Sequence, residues 1–359
     1  EETKKNLKLL SAADALVKIH FPKNKADIEE AKKRLSFDEL FLIQLQSQLL
    51  RRDAINRVST IIEFFEKETK KFVDSLPFKL TNSQRKSAWE IIRDIGKEQP
   101  MTRLLEGDVG SGKTIVAAIA MFNAALNKKQ AVLMVPTEIL AKQHYESLKK
   151  LFGDNISMCL LTRSQFSISN FQFLNNFQLS NSKISKKDIW NFIKNGEVKI
   201  IIGTHTLIQE NVEFNNLALV VIDEQHRFGV EQRKALMEKS MSVETLYCNV
   251  STIATPHLLS MTATPIPRSL ALALYGDLDI SIINEMPAGR KKIFTKIVLE
   301  ENREKAYNFI REEIKKGRQV FVICPLIDLS DKLGVKSVKE EFKKLDENVF
   351  PEIKMAMLH

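Results

Sequence analysis

Short aliphatic and β-branched runs at residues 102–105, 131–135, 198–203, 217–222 and 258–262 alternate with stretches of helical pattern between residue 78 and about residue 289. Runs so uniformly apolar suit strands covered on both faces. Their alternation with helices predicts an α/β fold built on a mainly parallel sheet. Helices are expected at 115–125, 187–194 and 269–275. Upstream, residues 1–76 read as a helical leader closed by Pro77: Leu42, Leu45 and Leu49 recur at helical spacing, and Ser36-Phe37-Asp38-Glu39 has the capping-box form that starts a helix. Downstream, a second α/β unit is expected to open near Pro287-Ala288-Gly289-Arg290, with strand 293–299, helix 301–316, strand 319–324 and a helical end. The division is therefore leader 1–76, α/β domain 77–287 and the start of a further α/β domain over 288–359. Residues 163–195 interrupt the pattern with a stretch rich in Ser, Asn, Gln and Phe, expected to be an insertion. There Phe166, Phe171, Phe173 and Phe177 either anchor a long loop to the surface or stack on bases.

A chain of 359 residues is long enough for two domains. Its formal charge of +9 favours a polyanionic partner without identifying one. Cys159, Cys248 and Cys324 are far apart, with no C-x-x-C pair, so they read as buried thiols in a reducing compartment. No apolar run approaches a membrane span and the amino terminus lacks a secretory core, which together predict a cytoplasmic protein with no membrane partner. A start without Met and an end without a polar tail suggest a segment of a longer protein.

Chemistry enters at Gly107-Asp108-Val109-Gly110-Ser111-Gly112-Lys113-Thr114, which fits the phosphate-loop pattern G-x-x-x-x-G-K-[ST] between a strand and a helix. Glycines let successive backbone N–H groups converge on an anion at the positive end of the helix. Lys113 reaches the β/γ-phosphates, and Thr114 suits Mg²⁺. ATP or GTP binding follows. The apolar run 217–222 ends in Asp223-Glu224-Gln225-His226, a paired acidic tip that makes little sense at the end of a buried strand without a compensating cation. Asp223 suits Mg²⁺ and Glu224 suits positioning and deprotonating a water. Gln84 either selects adenine through its amide or belongs to an ordinary helix cap with Thr81. Thr262 and Thr264, at the end of a strand, are expected to bond to the acidic tip and to a mobile neighbour. Pro136-Thr137-Glu138, Gly203-Thr204-His205 and the turn at Arg268 each place a hydroxyl, a backbone N–H or a cation where sugar-phosphate is held without reading sequence. His205 alone reads as structural rather than catalytic.

The ordered set resembles superfamily 2 helicases. Within them, Leu105 to Thr114, Ile222 to Arg233, Met261 to Arg268, Asp277-Leu278-Asp279, Pro287-Ala288-Gly289-Arg290 and the leader segments Ala15 to Pro22 and Arg34 to Leu40 resemble the RecG family of branch-migration helicases, over most of residues 10–325. The resemblance implies two RecA-like lobes that close on ATP and Mg²⁺, and translocation on double-stranded and branched DNA at stalled forks and Holliday junctions. It adds Phe78 to the base contacts. Gln225, His226, Thr262 and Thr264 become coupling residues, and Pro136, Thr137, Gly203, Thr204, His205 and Arg268 DNA contacts. It further implies an upstream wedge domain, second-lobe arginines beyond residue 359, a monomer, and single-stranded DNA-binding protein as a partner. Arg163 stands where the family tends to have Gly, so DNA contacts beside it are not carried over. The alternatives are a transcription-repair coupling translocase, and, for this chain alone, a binding module without turnover.

Overall fold

The computed structural model describes residues 6–55, 57–153, 155–169, 185–209, 212–224, 254–264, 278–287, 293–324 and 337–358. Gln225, His226, Arg268, Phe171, Phe173, Phe177, Cys248 and the expected helix 269–275 lie outside them. Two compact units divide the chain, Glu1–Arg290 and Lys291–His359.

In the first unit, helix α1 (Ala12–His20) packs against the long α2 (Lys25–Ile55). The sequence places a helix start at Ser36, yet α2 runs straight through it. Its cap lies earlier, where the Asn24 side chain accepts from the Asp27 N–H at 3.0 Å and Asp27 accepts from the Lys23 N–H at 3.1 Å. Ala31 and Arg34 are buried, so packing carries the helix past residues 36–39 whatever their capping form. Helices α3 (Glu66–Asp74), α4 (Asn82–Ile95) and α5 (Lys113–Leu126) follow, then α6 (Glu138–Phe152) and α7 (Lys186–Lys194).

Eight strands form one sheet: β1 (Thr102–Gly107), β2 (Gln130–Met134), β3 (Met158–Leu161), β4 (Phe166–Ser169), β5 (Ile200–Gly203), β6 (Leu217–Ile222), β7 (His257–Thr262) and β8 (Asp279–Ile283). Their order is β4-β3-β5-β2-β6-β7-β1-β8, parallel except for the β3–β4 pair. All five strands expected between residues 78 and 289 are present. Within the stretch expected to be an insertion, Phe166–Ser169 form β4, which pairs antiparallel with β3 and extends the sheet. Alternation divides the core between the two faces. Ala131 and Leu133 of β2 join α5, whereas Val132 and Met134 join Ile189, Phe192 and Ile193 of α7. Residues 57–76 belong to the same body, with Ile62 and Phe72 in the core.

The second unit contains α8 (Arg303–Lys315) and α9 (Val338–Lys344), and Phe350 is buried beneath Tyr307 and Arg311. The strands expected at 293–299 and 319–324 are not formed among the described residues. Their side chains stand in solvent, with Ile297 93% and Ile323 90% exposed. A β-branched run becomes a strand only when a neighbour completes its ladder.

Candidate nucleotide site

Parallel strands direct their carboxyl ends to one edge, and among the described residues the phosphate loop, Asp223-Glu224, Thr262 and Thr264, Pro136-Thr137 and Gly203-Thr204-His205 all lie at or just after strand ends there. Register fixes the arrangement: Glu106 of β1 pairs with Thr262 of β7, and Ser260 of β7 pairs with Ile222 of β6. The loop after β1 and the acidic tip after β6 therefore flank the threonine pair that ends β7.

Residues 107–112 form a cradle that is crowded at Gly107 and Gly112. A Cβ on Gly107 would meet Ser111 Oγ at 2.5 Å, and one on Gly112 would meet Gln84 Nε2 at 2.3 Å. Gly110 and Gly112 hold φ of 79° and 89°, a region that glycine enters freely. Ser111 Oγ is buried without a hydrogen-bond partner. Amides, an unsatisfied hydroxyl and the start of α5 together suit a polyphosphate. Lys113 is buried, its Nζ donating to the carbonyls of Gly107 at 2.6 Å and Asp108 at 3.0 Å. Burial lowers its ammonium below the ordinary lysine value, opposed by the charges of Asp223, Glu224 and Asp108. That influence places Lys113 and the acidic pair in one electrostatic neighbourhood.

At the tip of β6 the Asp223 N–H donates to the Met134 carbonyl at 2.9 Å, joining the ends of β6 and β2. Its two carboxylate oxygens have separate donors: the Glu224 N–H reaches Oδ1 at 3.0 Å, and Nε2 of His144 lies 3.1 Å from Oδ2. Glu224 has φ of 52°, an uncommon conformation for a side chain of its kind. Thr262 and Thr264 depart from expectation, because their hydroxyls bond to one another at 2.9 Å and not to the acidic tip. Thr262 is buried and Thr264 exposed.

Gln84 serves the helix cap expected for it and also touches the phosphate loop. Its Oε1 accepts from the Thr81 N–H at 2.9 Å, and Nε2 donates to the Ser111 carbonyl at 2.7 Å. Both ends of the amide are thus engaged inside the protein. A cavity of about 450 Å³ lies beside Phe78, with Lys79 and Arg85 in its wall. Glu285, just beyond β8, exchanges two bonds of 3.3 Å with Ser83 and ties that segment to the start of α4.

Of the candidate DNA contacts, Pro136, Thr137, Gly203, Thr204 and His205 occupy the same edge on the other side of β6, and Arg268 lies outside the described residues. Thr137 is exposed and caps α6, its hydroxyl accepting from the Leu140 N–H at 3.3 Å, and Pro136 is half-buried. Gly203 is a close approach: a Cβ there would lie 2.2 Å from the Leu161 carbonyl. Thr204 is 1% exposed and its hydroxyl bonds to that of Thr206, so the outward group is His205. Sequence reasoning missed His144, Arg85 and Glu285. His144 carries a faint signal, since it borders the buried stripe Ala141, Tyr145, Leu148 and Phe152.

A sheet in which the strand bearing the threonine pair slots between the phosphate-loop strand and the acidic strand is that of a RecA-like P-loop nucleotide-binding domain, and the first unit is of that class. The chain belongs to the DEAD/DEAH box helicase family, whose model matches residues 82–272. It also resembles RecG helicases. It is 43% identical over 353 residues to the ATP-dependent DNA helicase RecG of Thermotoga maritima, covering 98% of this chain and 42% of that one. Its identity to the RecG of Bacillus subtilis is 40% over 361 residues, 100% of this chain and 49% of that one. A solved structure of RecG bound to a three-way DNA junction matches with a TM-score of 0.77 at 38% identity, over 98% of this chain and 42% of that chain. The chain thus spans less than half the length of these relatives.

Proposed function

We propose that the protein to which this chain belongs is an ATP-dependent DNA translocase that remodels branched DNA, including stalled forks and Holliday junctions, in recombination and repair. The observation that carries this reading is the convergence of Lys113, Asp223 and Glu224 at one edge of the sheet, with the candidate phosphate-backbone contacts beside them. Residues 77–287 form the ATP-binding lobe, 1–76 link it to an upstream wedge, and 288–359 begin the second lobe.

In this reading the amides of residues 107–112, the Ser111 hydroxyl and Lys113 hold the β- and γ-phosphates, and the base rests against Phe78 near Gln84. The hydroxyl of Thr114 and the carboxylate of Asp223 hold Mg²⁺, which supplies charge neutralisation at the transferring phosphoryl group. Glu224 orients the attacking water and accepts its proton. Thr262, Thr264, Gln225 and His226 couple nucleotide state to Pro136, Thr137, Gly203, Thr204, His205 and Arg268 on the DNA. Such a motor works in the cytoplasm as a monomer, beside single-stranded DNA-binding protein. Arginines of the second lobe complete the charge stabilisation. In the full-length protein, Lys113→Ala should lower DNA-stimulated ATPase by about 100-fold or more, the scale of a lost transition-state contact, while branched-DNA affinity persists. Unchanged turnover would refute the assignment. Capture of RNA polymerase without fork remodelling would instead favour the transcription-coupled translocase.

A further inference from the structure

We infer that His144 is a positioning residue for the carboxylate of Asp223, and that it joins the metal-holding group to the helix whose first turn faces the DNA. The inference rests on the functional reading above, because it takes Asp223 as the Mg²⁺-holding group. Nε2 of His144 lies 3.1 Å from Asp223 Oδ2, and both side chains are largely withdrawn from solvent, at 12% and 14% exposure. A carboxylate oxygen only accepts, so the imidazole Nε2–H is the donor. With the Glu224 N–H on Oδ1 and the Asp223 N–H on Met134, backbone and side chain of Asp223 are both held. Those bonds leave each carboxylate oxygen a second lone pair for a hydrated cation. Outer-shell donors of this kind fix the orientation of a ligand, and their loss typically lowers metal affinity or activity by about 10–100-fold.

The position of His144 gives the bond a second consequence. It stands on α6, whose Ala141, Tyr145, Leu148 and Phe152 are locked into the core, so the helix shifts as a unit or not at all. Thr137, the cap of the same helix, lies seven residues away, about 10 Å along the axis. Glu138, in its first turn, accepts from the N–H groups of Arg163 at 3.1 Å and Ser164 at 3.2 Å. A strand of DNA pressing on Pro136 and Thr137 therefore acts on a rod that also carries the donor for Asp223. His144 is the physical link by which DNA contact sets the angle of the metal-holding carboxylate.

The test uses the full-length protein with forked DNA and three variants, His144→Ala, His144→Asn and His144→Gln. Ala removes the donor, the Asn amide stops short of Asp223, and the Gln amide reaches it. Two measurements are made: the Mg²⁺ concentration for half-maximal DNA-stimulated ATPase, and the gain in affinity for a fluorescent ATP analogue when Mg²⁺ is added. The expected result is an increase of about tenfold or more in the Mg²⁺ requirement for Ala and Asn, and a loss of most of the Mg²⁺-dependent gain in binding. Gln should stay within about threefold of the parent on both counts, on the same scale. Should Ala melt early, Asn and Gln decide alone. A Mg²⁺ requirement for Ala or Asn within about twofold of the parent, or Gln as impaired as Asn, would overturn the role given to His144. Lys113→Ala serves as the control. If that variant hydrolyses ATP normally, the nucleotide site itself is wrongly assigned, whatever position 144 does.

Discussion

Glu224 is the residue at which local structure and proposed chemistry conflict most openly. Its φ of 52° places a long side chain in a backbone region that costs such residues about 1 kcal/mol or more. The conformation persists because the Glu224 N–H is held on Asp223 and the tip of β6 is held on Met134. Glycine would relieve the strain but would take away the carboxylate proposed to activate water. Glu224→Gly should therefore raise the unfolding free energy by up to about 1 kcal/mol in urea titrations and still abolish DNA-stimulated turnover. A variant that melts below the parent would show that the conformation is unstrained. The residue scale was also where the sequence could be read most fully. The spacing of Gly107, Gly112 and Lys113 predicts a cradle, and the close approach of Ser111 and Gln84 to these glycines, with a φ of 89° at Gly112, explains why glycine suits both positions. The contact between His144 and Asp223 was not legible, because 79 residues separate the two and only the β2–β6 pairing brings them together.

At the scale of elements, the expected strands of the sheet centre were readable because both faces are covered and each is dense in apolar or β-branched residues. Strands β3 and β8 escaped for different reasons. Met158 to Leu161 is only four residues long and adjoins the irregular stretch, whereas β8 alternates and begins with an exposed Asp279. The leader misled in the opposite way: Ser36 to Glu39 has the right chemistry for a helix start, but burial of Ala31 and Arg34 keeps the helix going. The attachment of residues 57–76 was also invisible in the sequence. Asn123 of α5, itself buried, accepts from the Phe65 N–H and the Thr69 hydroxyl, each at 3.2 Å, and donates to the Ile119 carbonyl at 2.9 Å. Asn123→Ala would strand those donors, so we expect a loss of about 2–3 kcal/mol in urea denaturation. A loss below about 0.5 kcal/mol, the range of an ordinary surface change, would mean that the segment is held by its apolar contacts alone.

For the whole molecule, acid sensitivity has a specific origin in His257 at the start of β7. The ring is fully buried. Its Nδ1 accepts from the Met101 N–H at 2.9 Å, and Nε2 faces the Thr60 carbonyl at 2.9 Å, which fixes the neutral tautomer. Burial pushes its pKa down to about 4, from 6.5 in the unfolded chain. The unfolded state therefore binds the proton first, and stability falls as the pH drops from 6.5 toward 4. At pH 5 the resulting loss is about 2 kcal/mol relative to neutral pH. Urea midpoints for the parent and for His257→Gln, whose amide stays uncharged, should diverge at pH 7.5 and converge at pH 5. An equal acid response in both proteins would assign the sensitivity elsewhere. The bonds from Asn123 and Asn127 to residues 63, 65 and 69 give the architecture a mechanical side. Those asparagines sit at the far end of the same helix whose first residue is Lys113, so the leader is a handle on the rod behind the phosphates. If residues 107–114 hold nucleotide as proposed, tension applied through the leader would reach that grip along α5, and the protein would sense its load while still holding fuel.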